Sequence, residues 1–196
     1  LGRFTLLRTE DGGETWARAP RDAVPDAHDG EAAFAASNGS LVIGPAGLVA
    51  FCSGGLAPSA RAYLSRDGGR SFVALDTPIV ANLASRGAFA CAFDRRGDLW
   101  VCGGDYRAPK TEGVNLARLA AGTTTFEAVT APPGYLSSID AHAGLIAATG
   151  LAGTIIGRGG APFARVSETP FNTVRLSSPT EAYLVGPKGT MARWRA

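Results

Sequence analysis

An eight-residue pattern recurs along the chain and constrains its fold more than any other feature. Thr9-Glu10-Asp11-Gly12-Gly13-Glu14-Thr15-Trp16 and Ser65-Arg66-Asp67-Gly68-Gly69-Arg70-Ser71-Phe72 share the form S/T-x-D-G-G-x-S/T-aromatic, and each follows a short apolar run. Two weaker copies, Leu119 to Phe126 and Ile156 to Phe163, keep glycine and the final aromatic but lose the Asp. The aromatics stand at 16, 72, 126 and 163, so the copies are 56, 54 and 37 residues apart. These spacings bracket the length of one four-stranded propeller blade. The spelling has a physical reason. Glycines supply positive φ without a Cβ clash, an Asp just before them accepts hydrogen bonds from turn N–H groups, and the aromatic fills the space between neighbouring sheets. The octet therefore reads as a hairpin staple whose structural residues are Asp11, Gly13, Trp16, Asp67, Gly69 and Phe72. One Asp per turn falls far short of the roughly six to eight oxygen ligands that calcium takes, so no metal site is expected.

Composition supports strands and turns. The 196 residues include 26 Gly and 12 Pro, which leaves little room for long helices. A hydrophobic share of 45% is enough for a real core, yet no apolar run of about 18 residues exists to span a bilayer. The 19 basic and 17 acidic residues give a net charge of +2, and the basic residues are scattered singly. That distribution argues against nucleic acid as a partner. Cys52, Cys91 and Cys102 lie in apolar runs without CxxC spacing and read as buried free thiols. A bridge between Cys91 and Cys102 is disfavoured. Pairing their strands across Asp94 to Gly97 sets Cys91 opposite Trp100 and Cys102 opposite Phe89. The chain opens at Leu1 without a basic or apolar leader, so any export signal is expected to lie outside it.

Strand signals separated by Gly, Pro and Asn turns fall into blades. Ala32 to Ser37 with Leu41 to Ile43, Leu48 to Ser53, Ala60 to Ser65 and Ser71 to Leu75 make the first set. Ala88 to Phe93, Asp98 to Cys102, Leu116 to Leu119 and Thr124 to Val129 make the second, and Leu136 to Ala141, Leu145 to Thr149, Gly153 to Gly157 and Phe163 to Val166 the third. Phe4 to Arg8 and Glu14 to Arg18 supply two earlier strands, and Thr173 to Leu176, Ala182 to Val185 and Thr190 to Trp194 three later ones, about seventeen in all. The expected fold is all-β, a β-propeller of four-stranded antiparallel blades with about four blades' worth of strands. It is one domain or the C-terminal part of one. Residues 1–18 end a blade, 32–76, 84–130 and 135–167 are full blades, and 171–196 form an incomplete one. Such a ring can close by pairing its end strands.

The octets at 9–16 and 65–72 resemble Asp-boxes, or BNR repeats, as found in sialidases, sortilin-type receptors and photosystem II stability/assembly factor-like proteins. Residues 34–39, 103–106, 133–138 and 185–189 are more narrowly similar to bacterial WD40/YVTN/BNR-like repeat proteins, often labelled oxidoreductases. The resemblance spans nearly the whole chain. It implies six or seven blades, so blades N-terminal to this chain, and an exported, periplasmic or extracellular setting. It is specific for fold and weak for activity, because one turn motif serves enzymes, receptors and assembly factors alike.

The octets occupy the turns between third and fourth strands, so loops joining second to third strands and one blade to the next share the other face, where ligands of propellers usually bind. The longest such loops are Pro20 to Gly30 and Gly103 to Gly113. The candidate contacts are Asp105, Tyr106, Arg107 and Lys110 with Tyr135, Phe171 and Asn172 at blade junctions. Asp105 and Tyr106 also suit purely structural roles, amide capping and core closure. Asp140 and His142 lack a Ser or Cys partner and read as turn chemistry, and His28 as a solvated loop residue. Three function classes follow. The first is a non-catalytic binding or assembly scaffold with a protein or glycan ligand. The second is a sialidase-like glycoside hydrolase, which needs an arginine cluster that Arg86, Arg107 and Arg175 would have to supply. The third, an oxidoreductase, has no GxGxxG, haem or CxxC motif behind it. The scaffold is the favoured reading, with no catalytic residues and no cofactor.

Overall fold

The computed structural model describes residues 2–34, 39–158 and 160–196. Residues 35–38, within the first segment expected to be a strand, lie outside the described residues. Strands β1 (Leu7–Arg8) and β2 (Ala17–Arg18) pair across the first octet. After β3 (Glu31–Ala32) come β4 (Leu41–Ile43), β5 (Val49–Cys52), β6 (Gly54–Gly55), β7 (Ser59–Ser65) and β8 (Val73–Val80). Of these, β4-β5-β7-β8 form the first full antiparallel sheet. The second is built from β9 (Arg86–Phe93), β10 (Leu99–Asp105), β11 (Leu116–Leu119) and β12 (Glu127–Ala128). The third contains β13 (Ser138–His142), β14 (Leu145–Gly150), β15 (Gly153–Arg158) and β16 (Ala164–Ser167), and β17 (Thr173–Ser178), β18 (Glu181–Val185) and β19 (Met191–Arg195) form a last sheet of three. Apart from β3 and β6, each sheet pairs its strands in chain order, the order of a blade whose strands run outward one after another. The fold is an all-β propeller assembly of four-stranded antiparallel blades. Among the described residues the terminal sheets β1-β2 and β17-β18-β19 do not pair with each other.

Alternation along the strands explains the layering. Inner strands such as β9 and β14 are buried on nearly every residue, as strands covered on both faces must be. Outer strands β16 and β19 alternate exposed with half-buried positions. The core lies between the sheets. One cluster joins the first and second full sheets through Ala62, Leu64, Ile79, Cys91, Val101 and Phe126. The next joins the second and third through Leu116, Leu136, Ile139, Ile146 and Ile155, and a third seats Val174, Ala182 and Leu184 on Leu145 and Ile156.

Two expectations are corrected. Ala32 does not belong to the first full blade, because Glu31–Ala32 pairs with Gly54–Gly55 and Gly54 in turn pairs with Gly87 of β9. This extension adds β6 and β3 to the inner edge of the second blade, making a sheet of six. It depends on glycine: a Cβ on Gly54 would lie 2.5 Å from both the Arg86 carbonyl oxygen and the Gly87 Cα. The β9–β10 register is also one residue off the expected one. Phe93 pairs with Leu99, so Cys91 faces Val101 and Cys102 faces Ala90. The turn holds five residues instead of four because the Asp94 carboxylate accepts hydrogen bonds from the N–H groups of Arg96 and Asp98, at 2.8 and 3.0 Å, and keeps Asp98 inside the loop. All three cysteines are free and buried.

Candidate functional site

The two octets fold into the same turn. In the second, Asp67 Oδ1 accepts the Arg70 and Ser71 N–H groups at 2.9 Å, and Oδ2 accepts the Ser71 hydroxyl at 2.5 Å. Ser65 Oγ donates to Asp67 and accepts from the Gly69 N–H at 2.8 Å. In the first, Asp11 accepts the Thr15 N–H and hydroxyl, while Thr9 Oγ1 accepts from Gly13 at 2.9 Å. Hydrogen bonds from Thr15 and Ser71 hold the Asp11 and Asp67 carboxyls well below the usual range, and positive φ at both glycines of each pair closes the turn. The hydrogen bonds these carboxylates accept all come from their own loops, which fixes the geometry of the turns. The aromatics diverge. Phe72 packs with Phe51 and Tyr63, Phe126 enters the cluster between the first and second full sheets, and Phe163 packs against the next one. Trp16, expected to fill the same kind of space, is 59% exposed and donates its Nε1–H to the Gly13 carbonyl. Among the described residues no sheet packs over its indole.

On the other face, the loop after β10 and the junction before β13 meet. The Tyr135 N–H donates to the Pro109 carbonyl at 2.8 Å, and Tyr106 N–H to that of Ser85 at 3.3 Å. The rings of Tyr106 and Tyr135 lie 6.5 Å apart, and both meet Phe89 edge to face, at 6.0 and 4.9 Å. Phe34 stacks on the other side of Phe89 at 3.9 Å. Phe34, Phe89, Tyr106 and Tyr135 thus form one aromatic cluster at the blade rim. Tyr135 is 8% exposed and burial pushes its phenol upward, whereas Tyr106 is 38% exposed. Arg107 lies 5.9 Å over the Tyr106 ring, and Lys110 is exposed beside it in sequence. Neither Arg107 nor Lys110 donates a side-chain hydrogen bond to another described residue.

Asp105 is occupied. It is buried, binds Arg86 Nε at 2.9 Å and accepts the Arg107 N–H at 2.9 Å. Burial alone would raise its carboxyl, but hydrogen bonds from Ser85, Arg86 and the loop amides outweigh it and hold the group below the usual range. Its role in this geometry is to shape the loop that carries Tyr106. Asn172 is one junction further round: its carbonyl accepts the Ser137 hydroxyl at 2.9 Å and its side chain is exposed, while Phe171 is buried in the last cluster. Arg175, on β17, donates to the Val174 carbonyl, apart from Arg86, which is paired with Asp105. Asp140 ties two blades by accepting the Leu176 N–H at 2.8 Å, and exposed His28 donates its backbone N–H to Glu31.

The Pro20 to Gly30 loop is not the open ligand loop its polar spelling suggests. A 3-10 turn at Arg21–Ala23 buries Ala23 and Val24 beside Phe51, Tyr63 and Phe72. Behind it, the buried Glu31 carboxylate pairs with Arg61 and accepts from the Tyr63 and Ser53 hydroxyls, while Arg61 also donates to the Asp26 carbonyl. A separate cleft of about 910 Å³ opens on the octet side between the second and third full blades, lined by Arg95, Trp100, Arg118, Arg158 and Phe163. Arg118 is committed there to Asp98 at 2.6 Å and Arg158 to the Pro179 carbonyl. Among the described residues no three His, Cys, Asp or Glu side chains converge as metal ligands, and no helix is long and apolar enough to cross a membrane.

No protein-family model matches the sequence, and no curated protein matches it. Solved structures do. "YCF48 bound to D1 peptide" superposes with a TM-score of 0.56 at 15% identity over 97% of this chain and 57% of that one. An ancestral GH74 enzyme gives 0.54 at 11% identity over 80% of this chain and 27% of its own, and the Niastella koreensis GH74 enzyme 0.52 at 10% over 98% and 41%. The chain therefore spans about half or less of the length of these structures. At such identities the likeness is one of fold, shared by a peptide-bound protein and by GH74 enzymes.

Proposed function

We propose that this chain is a binding module without chemistry of its own, which presents the β10–β11 loop and the adjoining blade junctions to a protein ligand. The observation that carries the reading is the aromatic cluster of Phe89, Tyr106 and Tyr135 with Arg107 and Lys110 at its edge. An exposed Tyr106 ring seated on buried Phe89 and Tyr135, with two cationic side chains beside it, is the composition of a peptide-binding hot spot. The structural neighbour solved with a peptide supports the same class. The repeated octet turn supports placing the chain with Asp-box proteins.

A glycoside hydrolase reading would need two carboxylates on one face, one of them held protonated for acid catalysis. The described aromatic cluster has Asp105 beside it, and that carboxylate is committed to Arg86 and the loop. The reading is tested by selecting peptides from a displayed library on the immobilised chain and measuring their affinity by fluorescence titration. Tyr106→Ala with Arg107→Ala should weaken the selected peptides at least tenfold, and Trp16→Ala on the opposite face should leave them unchanged. Turnover of a fluorogenic sialoside by the wild-type chain, lost in Arg107→Ala, would overturn the proposal.

A further inference from the structure

Cys52 and Cys91 come from different blades and meet in one place. Cys52 ends β5 of the first full blade, Cys91 lies within β9 of the second, and both belong to the cluster between them, 0% and 1% exposed. The backbone of Gly39 and Ser40 holds both from one side. The Cys52 N–H donates to the Ser40 carbonyl at 3.0 Å and the Cys91 N–H to the Gly39 carbonyl at 2.8 Å. The thiols then converge on a single acceptor: Sγ of Cys52 is 3.7 Å and Sγ of Cys91 3.8 Å from the same Ser40 oxygen. The hydrogen bond with the Cys52 thiol, together with burial, pushes the Cys91 thiol up. Cys102 is held differently, in the next cluster, with its Sγ on the Leu136 carbonyl at 3.8 Å.

We propose that Cys52 and Cys91 form a disulfide that clamps the first full blade to the second, with Cys102 remaining a thiol. A small disulfide such as oxidised glutathione is the oxidant. One cysteine thiolate attacks it and releases one glutathione thiolate, the second attacks the resulting mixed disulfide and releases the other, and the two cysteine protons end on the two glutathiones. The protein dithiol is oxidised and the glutathione disulfide reduced. In the packed cluster both sulfurs are shielded from solvent and Cys91 is disfavoured as a thiolate, so the bond closes as the blades assemble and is protected from reductant afterwards.

The test is to unfold and reduce the full chain, refold it in a glutathione redox buffer, block free thiols with iodoacetamide and map the peptides by mass spectrometry. The expected result is a Cys52–Cys91 linked peptide with alkylation confined to Cys102. Because the crosslink closes a loop of about forty residues, the oxidised protein should melt roughly 10 °C above the reduced one. Cys102→Ser should give the same link and the same shift, and Cys91→Ser should lose both. Three alkylated cysteines in protein refolded to its native circular dichroism, or a link that includes Cys102, would overturn the proposal. Should Cys91→Ser fail to fold, the peptide maps of wild type and Cys102→Ser decide it.

Discussion

The two octets are nearly identical in hydrogen bonding and opposite in burial. Asp11 and Asp67 each accept a backbone N–H and a hydroxyl from the residue four positions on, and Thr9 and Ser65 each receive the second glycine's amide. Yet Phe72 is 8% exposed beneath the β1-β2 sheet, and Trp16 is 59% exposed. An exposed Arg70–Glu10 pair at 3.4 Å is a weak direct link between them. The difference teaches that turn geometry is set locally by the Asp and the glycines, while the stabilisation from the aromatic depends on whether another sheet lies over it. The same eight residues can therefore hold a hairpin together in one blade and a blade junction together in the next.

The largest effect should come from behind the second octet. Phe72 reaches Tyr63 through Phe51, and the Tyr63 hydroxyl donates to Glu31, so the Glu31–Arg61 pair backs the aromatic cluster on which Phe72 rests. Glu31→Ala leaves a buried guanidinium unpaired and should lower unfolding free energy by about 3–5 kcal/mol, measured by urea denaturation. It should also free the Pro20–Gly30 loop to limited proteolysis. A loss under about 1 kcal/mol with the loop still protected would mean that the network does not hold up the cluster beneath Phe72. Next is Phe72→Ala, which should cost about 3 kcal/mol by opening a cavity against Phe51 and Tyr63.

Much of this contrast is legible in the residues, and the rest fails for physical reasons. Strand order, the octet turns and the three buried thiols follow from local signals, spacing and apolar runs. The Glu31 network does not, because Glu31 meets Arg61 thirty positions away and the strands that bring them together, Glu31–Ala32 and Gly54–Gly55, are too short to carry a pattern. The β9–β10 register slips by one because a side chain, Asp94, decides the turn length. At the candidate face, Tyr106 and Tyr135 were identifiable as rim aromatics on opposite sides of a blade junction. Phe34 and Phe89 were not, since an aromatic on an inner strand reads as core. Asp105 stands among the candidate contacts in sequence, but only the Arg86 ion pair shows that its charge is spent.

A smaller effect separates the octets from their weaker copies, which lack the Asp. Because Asp11 and Asp67 titrate well below their ordinary 3.8 in the folded chain, their contribution is fully present above about pH 4 and fades as pH falls toward the folded value. Asp67→Asn should flatten that acid limb in pH-dependent melting. The double variant with Asp11→Asn should flatten it further, while the neutral-pH melting temperature changes less than in Phe72→Ala. An acid limb unchanged in the double variant would show that these carboxylates do not govern it.

Trp16→Ala should have the smallest effect of all. The indole covers its own turn and donates one hydrogen bond to the Gly13 carbonyl, so its removal should change stability by no more than about 0.5 kcal/mol, within the range of surface substitutions. The same substitution becomes informative when further chain is present. If a sheet packs over β1-β2 in a longer form of the protein, Trp16 takes the position that Phe72 has here, and its truncation should then cost as much as Phe72→Ala. Measuring Trp16→Ala by urea denaturation in both lengths, with Trp fluorescence reporting the burial of the indole, turns the contrast between the octets into a direct reading of what the first one contacts. Equal and small losses in both lengths, with an emission maximum that stays red, would show that the exposed indole is a property of the octet itself and does not depend on an overlying sheet.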